Sequence, residues 1–406
     1  MNINNKKEAN QVELKAQRFT SHTEIACTSF CHLKSYYAHH YGGTGIHRSM
    51  LPAKMFGGIV YHDLVGCKSE EETPKASWKD ENKPETWGVD GLMVRAVNDE
   101  TGDLSVFSLN RLVERVRAVH TTIINKQGMN GNLDEQLALS EAQFWVFHRI
   151  RFPELLKEFK IEAVEAEYTI ELDKNTVLGV KADCVLRSRA DEQLMAGEQK
   201  TTGNWKDQYF EGWSYSAQTA IECLGISNQF KEPCETVVME FLNKGRMSND
   251  QSTSPLVRFY SNGKEESHIR NTKKGWEVRK VWEEKNIREW IYSLPIEVLA
   301  NHHKTMKVHR KQSDCDRWLE VTRNKERRKS DALMGGEGSN AWKEFFEGRY
   351  DVGCYSDQYS HKCPYFDICY SPGENKETDP QDLLIGNEFT KREPHYKLER
   401  ELLSLR

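Results

Sequence analysis

Two runs decide how this chain is read: Thr176-Val177-Leu178-Gly179-Val180-Lys181-Ala182-Asp183-Cys184-Val185-Leu186, and Gly197-Glu198-Gln199-Lys200-Thr201-Thr202. The first is apolar and β-branched and carries one acid. Arg187 to Glu192 between them is polar and turn-like, so the pair reads as a β-hairpin. Asp183 then lies on the first strand, and Glu198 and Lys200 lie on the second. Residues two apart leave the same face of a strand, so Glu198 and Lys200 share a side. Two carboxylates and an ammonium on one sheet face repel or desolvate badly unless something uses them. A divalent cation is the natural use, because hard cations take oxygen ligands. Lys200 beside it would polarise an oxyanion or a water.

Outward from this centre, composition sets limits. The chain has 406 residues, 37% hydrophobic and 29% charged, enough apolar material for a real core. Its net charge of −5 argues against general polyanion binding, so nucleic-acid affinity would need a local patch. No apolar run approaches the ~20 residues of a transmembrane helix, and Met1 to Gln17 is polar without a signal-peptide core. No membrane association and a cytoplasmic location are therefore expected. There the ten cysteines are expected to be free or metal-bound rather than in disulfides.

In chain order, residues 1–20 read as a flexible leader. Ser29 to Tyr37 surrounds Cys31 with aromatic and cationic side chains, and Cys27 lies one helical turn earlier. Phe56 to Val65 reads as an apolar helix with Gly58 and His62 four apart; a single histidine on such a helix is usually core. Residues 67–130 read as an insertion, with a hairpin over Leu92–Leu109 and a helix through Leu112, Val116, Val119 and Ile123. Leu137 to Arg151 is a further helix ending before Pro153, and Ala163 to Leu172 is the strand entering the core. Tyr215 to Leu224 is a helix bearing Gln218. Thr236–Asn243 and Leu256–Tyr260 read as strands, and Trp276 to Ser293 as a charged helix. From Asn301 to Asp331, ten Lys or Arg face five Asp or Glu. Lys304, Lys307, Arg310, Lys311 and the cations from Arg323 to Lys329 form either a phosphate-tracking stripe or an ordinary solvated helix face. Near the end, Cys354, Cys363 and Cys369 fall within sixteen residues around Pro364-Tyr365-Phe366. After Cys369 the chain is polar, with only Lys397 to Leu405 helical.

Taken together, Asp183…Glu198-x-Lys200, Gly58 to His62, Gln218 and the cysteine triplet resemble the PD-(D/E)xK nuclease superfamily, in its RecB-type branch. The resemblance covers roughly 25–245 and 354–369. It implies that Asp183, Glu198 and His62, with the main-chain carbonyl of Gln199, hold Mg²⁺ or Mn²⁺, and that Glu165 or Glu167 joins them. It implies that Lys200 positions and activates water and that Gln218 orients the site. The family's helix is Q-x-x-x-Y. Here the Tyr position is Glu222, and Tyr215 one turn back is the substitute DNA contact. The family's C-P-R-x-Y-Y entry reads His32 and Leu33 in place of Pro and Arg. Cys31, Cys354, Cys363 and Cys369, with Cys27 as alternate, would carry a 4Fe–4S cluster joining the two ends of the chain. Zinc is the competing occupant.

The expected fold is α/β: a restriction-endonuclease-like mixed sheet flanked by helices, with helical insertions. The expected domains are a leader at 1–20, a nuclease core at 21–300, a basic helical segment and cysteine staple at 301–370, and a polar tail at 371–406. The expected activity is metal-dependent hydrolysis of DNA, as an exonuclease in recombination, repair or phage DNA metabolism, with a recombination or replication protein as partner. A catalytically silent DNA-binding member of the fold and a zinc-stabilised interaction protein are the alternatives.

Overall fold

The computed structural model describes residues 18–65, 106–130, 133–243, 287–336, 338–346, 363, 365, 389–392, 394 and 396–404. They form two compact units: residues 50–166 with 181–312, and residues 1–49 with 167–180 and 313–406. The elements run β1 (Arg18–Ser21), α1 (His22–Phe30), α2 (His32–His39), β2 (Ile46–Arg48), β3 (Leu51–Pro52), α3 (Ala53–Val65) and α4 (Val106–Gln127). Next come β4 (Met129–Asn130), α5 (Leu133–Ile150), α6 (Phe152–Glu158), β5 (Phe159–Asp173), β6 (Thr176–Ser188), β7 (Leu194–Thr202), α7 (Asp207–Gly212), α8 (Ala217–Phe230) and β8 (Cys234–Asn243). Last are α9 (Ile287–Ser293), α10 (Ile296–Ala300), β9 (His303–His309), α11 (Gln312–Gly335), α12 (Asn340–Phe346), β10 (Phe389–Lys391) and α13 (Lys397–Ser404).

The larger unit is a mixed sheet flanked by helices. β5 pairs with β6, and β6 with β7 antiparallel; β7 then pairs with β8 parallel and β8 with β9 antiparallel. β8 is buried at nearly every position, as a strand covered on both faces must be. Val238 and Leu242 join the core made by α3, α4 and α5, while Phe241 packs under Phe210 and Trp213. Helix α5 is buried all round from Leu137 to Phe147, with the polar Ser140 and Gln143 hydrogen-bonded to the Gly57 and Asn243 carbonyls. It ends at Ile150, and Pro153 opens α6, where its missing N–H costs no helical hydrogen bond. Gly197 has a steric reason: a Cβ there would lie 2.3 Å from the Cys184 sulfur on the neighbouring strand.

Several expectations change here. The segment read as an insertion ends in α4, whose Leu109, Leu112, Val113, Val116 and Ile124 are core residues at helical spacing. Residues 106–109 are therefore helix rather than hairpin, and 67–105 lie outside the described residues. So do 256–260 and 276–286; of the charged helix, only Ile287–Ser293 is described. The basic segment opens with a strand, not a helix. His303-Lys304-Thr305-Met306-Lys307-Val308-His309 alternates and pairs along β8.

In the smaller unit, β1 lies parallel to the first part of β6, so residues 18–20 belong to a strand rather than a leader. The ring of Phe19 lies over Gly179, where a Cβ would sit 2.2 Å from it. Ser21 caps α1 by accepting from the Glu24 amide at 3.2 Å. Lys329 on α11 is fully buried, bonded to Glu24 at 2.6 Å and Glu326 at 2.8 Å. Arg18 bridges the same two carboxylates, and His40 adds a bond to Glu24 at 2.8 Å. Lys329 is thus a core ion-pair partner, and Arg323 is bonded to the Glu171 carbonyl at 3.2 Å. The tail contributes structure too, as β10 pairs antiparallel with β2; just ahead of it the Tyr365 hydroxyl donates to the Ile46 carbonyl at 2.6 Å.

Candidate metal centre

The larger unit brings five elements to one point: β5, β6, β7, α3 and α8. Pairing of Cys184 with Gly197 places Asp183 beside Glu198, and the Gln199 amide donates to Asp183 Oδ2 at 2.7 Å. Helix α3 delivers His62, whose Nδ1 is 3.6 Å from Asp183 Oδ1. Strand β5 delivers Glu165, held at φ 51°, a left-handed conformation rare for a side chain larger than glycine. One donor atom each from His62, Glu165 and Asp183 lies within 4.8 Å of the others. Beside them, Lys200 is paired with Glu198, and Gln218 from α8 donates to Glu198 Oε1 at 2.6 Å. Glu198 is 2% exposed and lies within hydrogen-bonding reach of Asp183; with both as carboxylates neither donates, and Glu198 Oε2 has no hydrogen-bond donor.

Charge is out of balance here. Burial, reinforced by Asp183, pushes the Glu165 carboxyl up to about 8. Burial also raises Asp183, and burial together with Asp183 raises Glu198. Burial disfavours the Lys200 ammonium, yet Glu198 and Asp183 overcome it and raise its pKa. Burial and the Lys200 charge depress His62 to about 4, so at neutral pH it is an uncharged imidazole able to ligate. Carboxylates pushed up, a neutral imidazole and an orphaned buried oxygen are a donor set that fits Mg²⁺ or Mn²⁺.

The predicted residues are placed as follows. Asp183, Glu198, Lys200, Gln218 and His62 converge, and the main chain of Gln199 lies beside the His62 ring. The close group of three contains Glu165, with Glu198 adjoining through Lys200 and Gln218. Glu167 lies at the start of the β5 segment belonging to the smaller unit. Tyr215 is 85% exposed, just ahead of α8.

The four cations proposed for DNA do not act alike. Lys304 pairs with Asp207 at 3.0 Å and sits over the Phe210 ring, and Lys307 lies over Phe159. Arg310 is committed to protein: it bonds Thr219 Oγ1 at 2.9 Å and the Ser216 carbonyl, tying β9 to the start of α8. Lys311 is exposed.

Sequence reasoning passed over Tyr61, which donates to Gln199 Oε1 at 3.2 Å, and Trp213, whose ring lies 5.2 Å from the Lys200 ammonium. It passed over the part played by Glu222, whose Oε1 takes a second bond from Gln218 at 2.8 Å. Four-residue spacing on one helix was the available signal.

In the smaller unit Cys31 caps α2, its sulfur accepting from the Lys34 amide at 3.4 Å. Burial pushes the Cys27 thiol up to about 11, and Cys31 and Cys363 are near enough to add to the rise. Cys354 and Cys369 lie outside the described residues. Compared with known proteins, no protein-family model and no curated protein matches the chain.

Proposed function

We propose that the larger unit is a metal-dependent deoxyribonuclease of PD-(D/E)xK type, with a restriction-endonuclease-like fold related to the RecB branch. The observation carrying this reading is the convergence of His62, Glu165 and Asp183 within 4.8 Å, beside the Lys200–Glu198 pair. His62, Glu165 and Asp183, with Glu198 and the Gln199 carbonyl, would hold Mg²⁺ or Mn²⁺. Bound there, the ion supplies Lewis-acid polarisation of a phosphodiester oxygen and of water. Lys200 stays an ammonium because two carboxylates raise its pKa. It therefore donates hydrogen bonds to water and to the charge developing on phosphate rather than removing a proton. Gln218 keeps Glu198 in register with Lys200.

The test is degradation of end-labelled single- and double-stranded DNA with Mg²⁺, Mn²⁺ or EDTA. Cation-dependent cleavage by wild-type protein that Asp183→Ala removes is expected. Binding without cleavage identifies a silent member of the fold, and neither binding nor cleavage ends the reading.

The cysteines belong to the same proposal. Cys31 and Cys363 lie near enough to Cys27 in the smaller unit to act on its thiol, though the three sulfurs do not gather within 4.8 Å of one another; thiolates are the ligands that iron–sulfur clusters and zinc take. A 4Fe–4S cluster on Cys31, Cys354, Cys363 and Cys369 is the favoured occupant. Anaerobically purified protein is expected to be brown, and Cys363→Ser colourless and prone to unfold. One zinc and no iron by metal analysis would replace the cluster with a zinc site.

A further inference from the structure

Gln218 is held by both hydrogens of its amide. Its Nε2 donates to Glu198 Oε1 at 2.6 Å and to Glu222 Oε1 at 2.8 Å. Two accepting oxygens, whether of a carboxylate or the C=O of a protonated carboxyl, are met by the NH₂ end of the amide, because the carbonyl end would face them lone pair to lone pair. The two acceptors together therefore dictate which way round the amide lies. Glu198 alone would hold the group by one bond and leave rotation about the last torsion, which is soft in glutamine. A second acceptor on the other hydrogen fixes the plane.

Glu222 occupies the position that makes this possible. It lies four residues after Gln218, on the same face of α8, and is 2% exposed. Its neighbours Thr219, Ala220, Ile221, Cys223 and Leu224 are buried, and its own Oε2 has no hydrogen-bond partner. A buried carboxyl with one empty oxygen is a poor choice for stability, since an apolar side chain of similar length would fill the space without that penalty. What the carboxyl adds and a leucine cannot is the acceptor for Gln218.

We infer that Glu222 is a positioning residue that locks the Gln218 amide against Glu198 and so keeps Glu198 Oε1 between Gln218 and Lys200, with Oε2 free. This rests on the nuclease reading above.

The test uses the full chain and two independent readouts. In a side-chain amide ¹H–¹⁵N spectrum, wild-type Gln218 should give two well-separated, slowly exchanging protons. Glu222→Leu should collapse that separation. On labelled DNA with Mn²⁺, Glu222→Leu should lower kcat by about tenfold to a hundredfold, the scale of a small misplacement, with KM and Mn²⁺ affinity unchanged. Glu222→Gln, whose Oε1 can still accept, should restore both the amide signal and most of kcat. In a Gln218→Ala background, Glu222→Leu should add nothing, because the partner it acts through is gone. If Glu222→Leu does not fold, Glu222→Asp serves, because it keeps a carboxyl but withdraws the acceptor from reach, and it should show the same loss.

An unchanged Gln218 signal with wild-type kcat in either variant overturns the inference, as does full additivity with Gln218→Ala. Absence of cleavage by wild-type protein overturns the nuclease reading instead, and the amide spectrum still decides the role of Glu222.

Discussion

The two units each bury a knot of charge, and the knots are built to opposite ends. In the smaller unit, Glu24 and Glu326 face Arg18 and Lys329, two against two, with His40 as a further donor. Burial alone would raise Glu24, but Lys329, His40 and Arg18 bring it well below the ordinary carboxylate range. In the larger unit, among the described residues, Glu165, Asp183, Glu198 and Glu222 face the cations Lys181 and Lys200. There the carboxyls are pushed up, and Glu198 and Glu222 each keep an oxygen without a partner. A charge-balanced cluster holds structure together, even with Arg18 Nε left without an acceptor. An acidic excess, costly as it stands, is what a cation would relieve.

The largest effect expected from breaking this contrast is on the balanced side. Lys329→Met leaves Glu24 and Glu326 buried with less compensation and should cost about 3–5 kcal/mol of stability, read by urea denaturation. Asp183→Asn removes charge from the unbalanced side and should leave metal-free stability equal or higher. If both variants lose stability alike, the distinction between the clusters is wrong.

Next in size is the chemistry. Lys200→Ala should slow cleavage by about a hundredfold or more while the fold is kept, because it removes the ammonium that would meet developing charge. Wild-type turnover in the folded variant would strike Lys200 from the mechanism.

The clusters should also respond to pH with opposite sign. The Glu165 carboxyl titrates near 8 in the folded chain, against 4.5 ordinarily. The folded state therefore holds a proton more tightly than the unfolded one. This stability is fully present below about 4.5 and is lost as pH rises toward 8. Glu24, lowered, adds stability that is present above 4.5 and lost as pH falls below it. Melting in EDTA across pH 5–8 should show a decline, and saturating Mn²⁺ should reverse it by about 2.7 kcal/mol at a hundredfold excess over Kd. A flat profile that Mn²⁺ does not move would argue against the acidic group as a cation site.

The smallest effect is expected for His62. His62→Ala should lower Mn²⁺-supported activity about tenfold and shift the preference toward Mg²⁺, since imidazole is the softer donor. Full activity with a lower melting temperature would make His62 a core residue.

Sequence by itself determined what depends on neighbours along the chain. Strand period put Glu198 and Lys200 on one face. The apolar run around Asp183 marked its partner strand, and helical period marked α3, α5 and the registers of Leu112 and Val116. It did not reveal which charges would be buried, because a Lys in a basic run has the same local sequence whether it meets water or a carboxylate. Lys329 and Arg310 belong to one basic run that reads equally as a phosphate-tracking stripe or a solvated helix face. Only the docking of α11 on α1 and the pairing of β9 with β8 made the first an internal counter-ion and the second a tie to α8. Glu165 and Glu222 were left undecided for the same reason: a strand or helix carboxylate acquires its role from the side chains that folding brings opposite it. Those partners come from distant segments, and the strength of a charge interaction is set by the burial that packing imposes.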